Sequence, residues 1–195
     1  VDSATSHVMV HPGAVYLHQG ATYVVADLDL ESSVALVERD NPDWTTSARD
    51  VTDIRIVDTR RSAAYDGVAL HLGTVDVTNQ VVSFLRRRLG SGEVLGEEPL
   101  DLPPRDLRTQ AAWWTVDNAL LAGAAIEPRD LPGAAHAAEH ASIGLLPLVA
   151  TCDRWDVGGM STAFHPDTDA PTVFVADNAA CSRTTSVFSC WFSAR

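Results

Sequence analysis

His136-Ala-Ala-Glu139-His140 places two imidazoles at i and i+4, the spacing that puts both on one face of a helix, with a carboxylate between them. The order H-x-x-E-H is the inverted zinc-protease pattern, in which the two His hold the metal and the Glu serves as general base. That class also takes a third protein ligand from a downstream glutamate, and Glu139 is the last glutamate in the chain. A five-residue match on a segment of Ala and Leu recurs by chance. A structural or interface role for the two His is therefore the stronger reading, with an HxxEH metal-dependent hydrolase as the alternative. Cys152 could pair with His140 and Asp153 as a nucleophile, but it follows the C-terminal end of the expected helix, where the dipole opposes a thiolate. It reads better as a small buried hydrophobe. Gly159-Met-Ser161-Thr-Ala163 lacks the last Gly of a nucleophile elbow. The sequence assigns no catalytic residue and no metal ligand.

The second chemistry is electrostatic. Between residues 55 and 88, Arg55, Arg60, Arg61, Arg86, Arg87 and Arg88 stand against Asp58, Asp66 and Asp76, a local +3 inside a chain of net charge −12. Guanidinium groups suit bidentate phosphate contact, so a strand edge that carries them can track a single-stranded backbone. The same run can equally be a solvated face, and both readings stay open. The overall acidity limits nucleic-acid attraction to such patches and favours, as a further alternative, an acidic protein-interaction module.

All 14 basic residues are Arg; there is no Lys. That excludes a P-loop, whose lysine reaches the β/γ-phosphates, and any Schiff-base lysine chemistry. The length of 195 residues corresponds to about 1.3 domains, and 46% hydrophobic with 21% charged residues describes a chain that folds. Three cysteines lack CxxC spacing, and the longest apolar run, 143–150, is broken by Gly144 and Pro147, so the expectation is a reduced, cytoplasmic chain without a membrane partner. Val1-Asp2-Ser3 has neither a basic n-region nor an apolar h-region, nor an initiator Met, and reads as part of something longer or an alternative start.

The elements that must position these residues follow from periodicity. Residues 14–18 and 21–25 flank Gln19-Gly20 as a hairpin; 33–38, 51–58, 80–88 and 107–116 read as further strands, with Gly90-Ser-Gly92 as a second hairpin turn. Apolar residues sit on even positions at 68–72 and odd ones at 75–77, which predicts a bulge at Gly73-Thr74 if a single face is buried. Trp113 and Trp114 should point to opposite faces. Pro132 opens a helix that runs to about Val149, with Pro147 forcing a kink or early end; 156–159 reads as a loop and 172–175 as a short buried strand. The fold class is α+β: a small β-barrel or sandwich-like portion over residues 1–116, then a short helical portion over 117–177.

Several motifs recur in a familiar order: 11–20 (HPGAVYLHQG) followed by 27–31 (DLDLE), 92–96 (GEVLG), 138–141 (AEHA) with 145–147 (LLP), Cys152-Asp153 with 156–159 (DVGG), and 171–175 (PTVFV) with Asp177. Together they resemble the C-terminal region of MrfA-type (YprA-type) DEAD/DEAH-box DNA helicases. The resemblance implies a non-catalytic accessory portion of a superfamily 2, ATP-dependent, 3′-to-5′ DNA helicase associated with DNA repair. It also implies ATP bound by upstream motor domains, and the arginine run adds single-stranded DNA as the expected partner. Residues 117–177 would form part of a zinc-binding module whose cysteine cluster holds zinc in the complete domain. Beyond Asp177 the family's glycine-rich turn and cysteine cluster do not appear, and Cys181 and Cys190 do not match them. Residues 178–195 are therefore read as an atypical tail left by a frameshift or early end, and no cofactor is assigned to this chain.

Overall fold

The computed structural model describes residue 1 and residues 5–148 and 156–177. The expectations for Cys152, Asp153, Cys181, Cys190 and the 178–195 tail lie outside the described residues. The chain is mostly strand with short helices, and it divides into two compact units.

The first unit comprises residues 1–52 and 79–105. A single turn of helix, α1 (Ser6–Met9), leads into an antiparallel sheet of β1 (Val15–His18), β2 (Ala21–Asp29) and β3 (Val34–Arg39). Gln19 and Gly20 take φ of 48° and 79°, the left-handed pair that a two-residue hairpin requires, and His18 pairs with Ala21. The unit also receives the start of β4 (Trp44–Tyr65), the end of β5 (Val68–Arg88) and β6 (Val94–Pro99), which pairs antiparallel with β5. Val10, Ala14 and Val25 form its small core, flanked by Tyr16, Leu28 and Ala35.

His11 is buried against Phe84, with ring centroids 4.6 Å apart, and its Nδ1 lies 2.9 Å from the Pro12 carbonyl oxygen. Burial holds its pKa below the ordinary 6.5, against a smaller opposing effect of the Pro12 carbonyl; burial also lowers His7 and His71. The folded chain thus favours the neutral rings, while the unfolded chain takes up protons near pH 6.5, so acid favours unfolding. Stability should be fully present above that pH and fall from about pH 6.5 downward, before the carboxylates titrate. A urea midpoint that stays level between pH 7 and pH 5.5 would contradict this.

The second unit comprises residues 53–78 and 106–195. Its strands belong to a sheet of order β4-β5-β7-β9-β8, built with β7 (Arg105–Val116), β8 (Val157–His165) and β9 (Ala170–Asp177). Among the described residues neither sheet closes on itself, so of the two expected architectures the sandwich-like one holds and the barrel does not. Between β7 and β8 lie α2 (Asn118–Gly123), capped by Asp117 accepting the Leu120 N–H at 2.7 Å, and α3 (Leu131–Leu145). Pro132 sits in the first turn of α3, and at Leu146–Leu148 the helix tightens to a 3-10 turn around Pro147. Of the segment expected as a loop at 156–159, Asp156 is a bend but residues 157–159 are the start of β8: Gly158 and Gly159 pair with Ala176 and Val175, and this ladder satisfies their backbones.

This sheet buries both faces. Leu72, Ala112 and Val175 pack with Leu146, Val157 and Ile143, while Val75, Ala111, Trp113, Phe174 and Ala176 pack with Ile54. Leu72 and Val75 therefore serve opposite cores, and the change of parity along β5 needs no slip at Gly73-Thr74. Trp113 is core and Trp114 half-buried, as the alternation requires. None of the described helices is long and apolar enough to cross a membrane.

Candidate functional site

The six arginines fall into two groups, one in each unit. Arg55, Arg60 and Arg61 lie exposed on the second-unit part of β4. Arg55 Nη2 donates to Asp76 at 2.6 Å, and Asp76 also accepts two bonds from Arg108, at 2.7 and 3.0 Å. The Arg108 hydrogen bonds, with Arg55 adding to them, hold the Asp76 carboxyl below its ordinary range. Arg60 donates to Thr74 Oγ1 at 2.9 Å and lies 3.6 Å from Asp58. Arg108, not singled out by sequence, is the better placed partner of Asp76; its signal was a basic residue in the 107–116 strand at the same alternation as Ala112.

Arg86, Arg87 and Arg88 lie at the end of β5, where the register with β6 shifts between Arg86 and Arg87. A shift of this kind re-aims side chains that would otherwise alternate. Arg86 pairs with Glu98 at 2.5 Å and lies over the Trp44 ring, 5.5 Å from its centroid. Arg88 reaches Asp43 at 3.1 Å and Glu93 at 3.4 Å. Arg87 donates only to the Gly92 carbonyl, at 3.4 Å, so among the described residues it is the member of the trio without a carboxylate. Exposed pairs of this kind contribute on the order of 0–1 kcal/mol each, and an incoming phosphate can exchange with them.

The first unit also holds an open cleft of about 740 Å³, lined among others by Tyr16, His18, Tyr23, Pro104 and Arg105. Tyr16 and Tyr23 are cross-strand partners, and Tyr16 and His18 stack at 6.0 Å with planes 17° apart. These rings are not among the residues singled out above; their signal is aromatics at alternate positions across a hairpin.

The H-x-x-E-H residues do come together on α3. Glu139 is buried, although its neighbours His136 and His140 are exposed. Its Oε2 accepts the Ser161 hydroxyl from β8 at 2.6 Å and lies 3.3 Å from His136 Nδ1. His136 Nε2 and His140 Nε2 are 3.1 Å apart, with the rings edge to face. The buried Glu139 stem crosses β8 at Gly159, where an added Cβ would come within 2.6 Å of Glu139 Cγ and 2.8 Å of Ile143 Cδ1. The Gly159-Met-Ser161 segment is thus a seat for Glu139 rather than a nucleophile elbow. Both contacts fall on Oε2, so this one oxygen ties α3 to β8 and faces the His136 ring.

Comparison with known proteins gives the relatives. A family model described as the MrfA Zn-binding domain matches residues 138–189 and so continues past Asp177. The chain is 27% identical over 181 residues to the uncharacterized ATP-dependent helicase YprA of Bacillus subtilis, covering 91% of this chain and 23% of that protein. It is 25% identical over 158 residues to the ATP-dependent helicase HRQ1 of Saccharomyces cerevisiae, covering 79% of this chain and 15% of the relative. The crystal structure of the DUF1998 helicase MrfA bound to DNA superposes with 99% of this chain and 26% of its own, with a TM-score of 0.74 at 24% identity, which establishes the fold. The structure of MrfA bound to DNA and AMPPNP gives 0.63 at 25% identity. The chain spans about a quarter or less of the length of these relatives.

The matched family is described as zinc-binding, and His136, Glu139 and His140 are the group of three potential ligands that the described residues bring within 4.8 Å of one another. Two imidazoles and a carboxylate are ligand types zinc accepts, so the residues fit such an ion, although not as the cysteine cluster that the family resemblance implies.

Proposed function

We propose that this chain, a relative of the MrfA-type helicases along nine-tenths of its length, works as a non-catalytic accessory portion of an ATP-dependent DNA helicase. The observation that carries the reading is continuous similarity to helicases over 91% of the chain. Without a lysine, the chain leaves ATP to motor domains elsewhere, which in the superfamily 2 reading drive 3′-to-5′ translocation linked to DNA repair in the cytoplasm. Its own contribution is to scaffold and to contact the single-stranded product. Arg86, Arg87 and Arg88 supply phosphate contacts from the first unit, with Tyr16, His18 and Tyr23 as faces on which bases stack. Arg55, Arg60 and Arg61 offer the corresponding charge in the second unit. Zinc belongs to the complete family domain.

Binding of a fluorescently labelled oligonucleotide, titrated at several salt concentrations, tests this. Each single-strand phosphate contact contributes a slope of roughly 0.7 in log affinity against log salt, so changing all three of Arg86, Arg87 and Arg88 to Ala should flatten the dependence by up to about 2. Arg87→Ala should account for the largest single share, because no carboxylate offsets its charge. A wild-type chain that binds the oligonucleotide without salt dependence, or not at all, overturns the assignment.

A further inference from the structure

The exposed nitrogens of His136 and His140 have a geometry that a purely structural pair does not need. Two imidazole nitrogens on one tetrahedral zinc, each about 2.0–2.1 Å from the ion, stand roughly 3.3–3.4 Å apart. The observed separation is 3.1 Å, and it is set by two residues one helical turn apart on α3. A second observation concerns the opposite edge of the His136 ring. Its Nδ1 faces the carboxylate of Glu139, which is itself only 8% exposed and held by Ser161. A carboxylate at Nδ1 is the arrangement that fixes a metal-binding histidine's tautomer and leaves Nε2 as the ligand atom. The His136 side chain is 62% exposed, so the remaining coordination positions are open to solvent.

We propose that His136 Nε2 and His140 Nε2 chelate one Zn2+ ion on the face of α3, with Glu139 as the positioning residue behind His136. The site is separate from the cysteine cluster that the family resemblance implies and independent of the DNA-binding reading. It also differs from the protease pattern, because Glu139 orients a ligand and activates no water. The two nitrogens lie together only when residues 136–140 are helical, so the ion binds the folded chain in preference to the unfolded one and stabilises it.

The test uses the whole chain, with its three cysteines alkylated so that thiolates do not compete, and Zn2+ alone as the probe. Competition against a chromophoric chelator should show one equivalent bound by the wild type and by His18→Ala, a control for exposed histidines. That equivalent should be lost in His136→Ala and in His140→Ala. Glu139→Gln should weaken it about tenfold, because its amide still accepts from Ser161 but carries no charge. Zn2+ should raise the thermal midpoint of the wild type and leave that of each His variant where it stands without metal, so that the shift on adding Zn2+, rather than the metal-free midpoint, is the readout. An alkylated wild type that takes up no Zn2+, or His variants that retain the equivalent, would show the pair to be an N–H···N hydrogen bond and nothing more. Unchanged affinity in Glu139→Gln would remove the positioning role.

Discussion

Trp113→Ala should destabilise the second unit by about 3–5 kcal/mol, the range for removing a large aromatic from a packed core. Trp113 is 2% exposed and touches rings on both sides: His71 at 5.6 Å and Phe174 at 6.1 Å between centroids, with planes within 28° in each case. It also packs in the cluster of Ile54, Val75, Ala111 and Ala176, which joins β4, β5, β7 and β9. No single neighbour can move into the space, because each is fixed by its own strand ladder. Against a total stability on the order of 5–15 kcal/mol, the loss would leave the unit marginal or unfolded at room temperature. Urea unfolding followed by far-ultraviolet circular dichroism should show the midpoint collapse, and a Trp113→Phe variant should recover part of it. A Trp113→Ala midpoint equal to wild type would mean that this face of the sheet is not the core described here.

Gly73→Ala is the second large effect, and it acts through the backbone. A methyl group at residue 73 would overlap the carbonyl oxygen of Asp58 on the neighbouring β4 and lie 3.0 Å from Trp113 Cη2. The carbonyl cannot swing away without breaking the strand, and Asp58 Oδ1 also accepts the Thr74 N–H at 2.7 Å, which ties the two strands at this level. Forcing such an overlap costs typically 1–3 kcal/mol, and more where backbone rather than side chain must yield. Gly96→Ala is the matched control: an added Cβ there meets nothing within 4 Å. The Gly73→Ala midpoint in urea should fall well below both wild type and Gly96→Ala. Equal midpoints for the two variants would show that β4 and β5 do not approach as closely as the geometry requires.

The sequence is legible where one or two residues dictate backbone shape. Gln19-Gly20 and Gly90-Ser-Gly92 announced their hairpins, and Pro132 and Pro147 bracketed α3. Strand length was not legible. The separate runs at 51–58, 68–72 and 80–88 are parts of β4, with 22 residues, and β5, with 21. Polar residues interrupt the apolar pattern along both strands, and these are satisfied across strands, as Arg55 is by Asp76. Parity along β5 misled because it presumed one buried face, whereas Leu72 and Val75 each have a core of their own. At the candidate sites, the helix face of His136 and His140 followed from spacing alone. Ser161 did not, because its bond to Glu139 spans 22 residues. The arginine cluster was visible as charge, but its offset by Asp43, Glu93 and Glu98 depends on strand pairing that composition does not encode.

β9 is an interior strand of its sheet. It is paired on one side with β8, its hairpin neighbour, and on the other with β7, from which α2, α3 and β8 separate it in sequence. The β8–β9 hairpin is local and can form early, whereas the β7–β9 pairing closes a loop of more than fifty residues and is intrinsically slow. On a ribosome, Trp113 therefore waits for Phe174 to emerge before its core can close, with the apolar faces of β7 uncovered in the interval. The second unit should fold late and all at once, and during synthesis it is the part of the chain most dependent on shielding from other nascent chains.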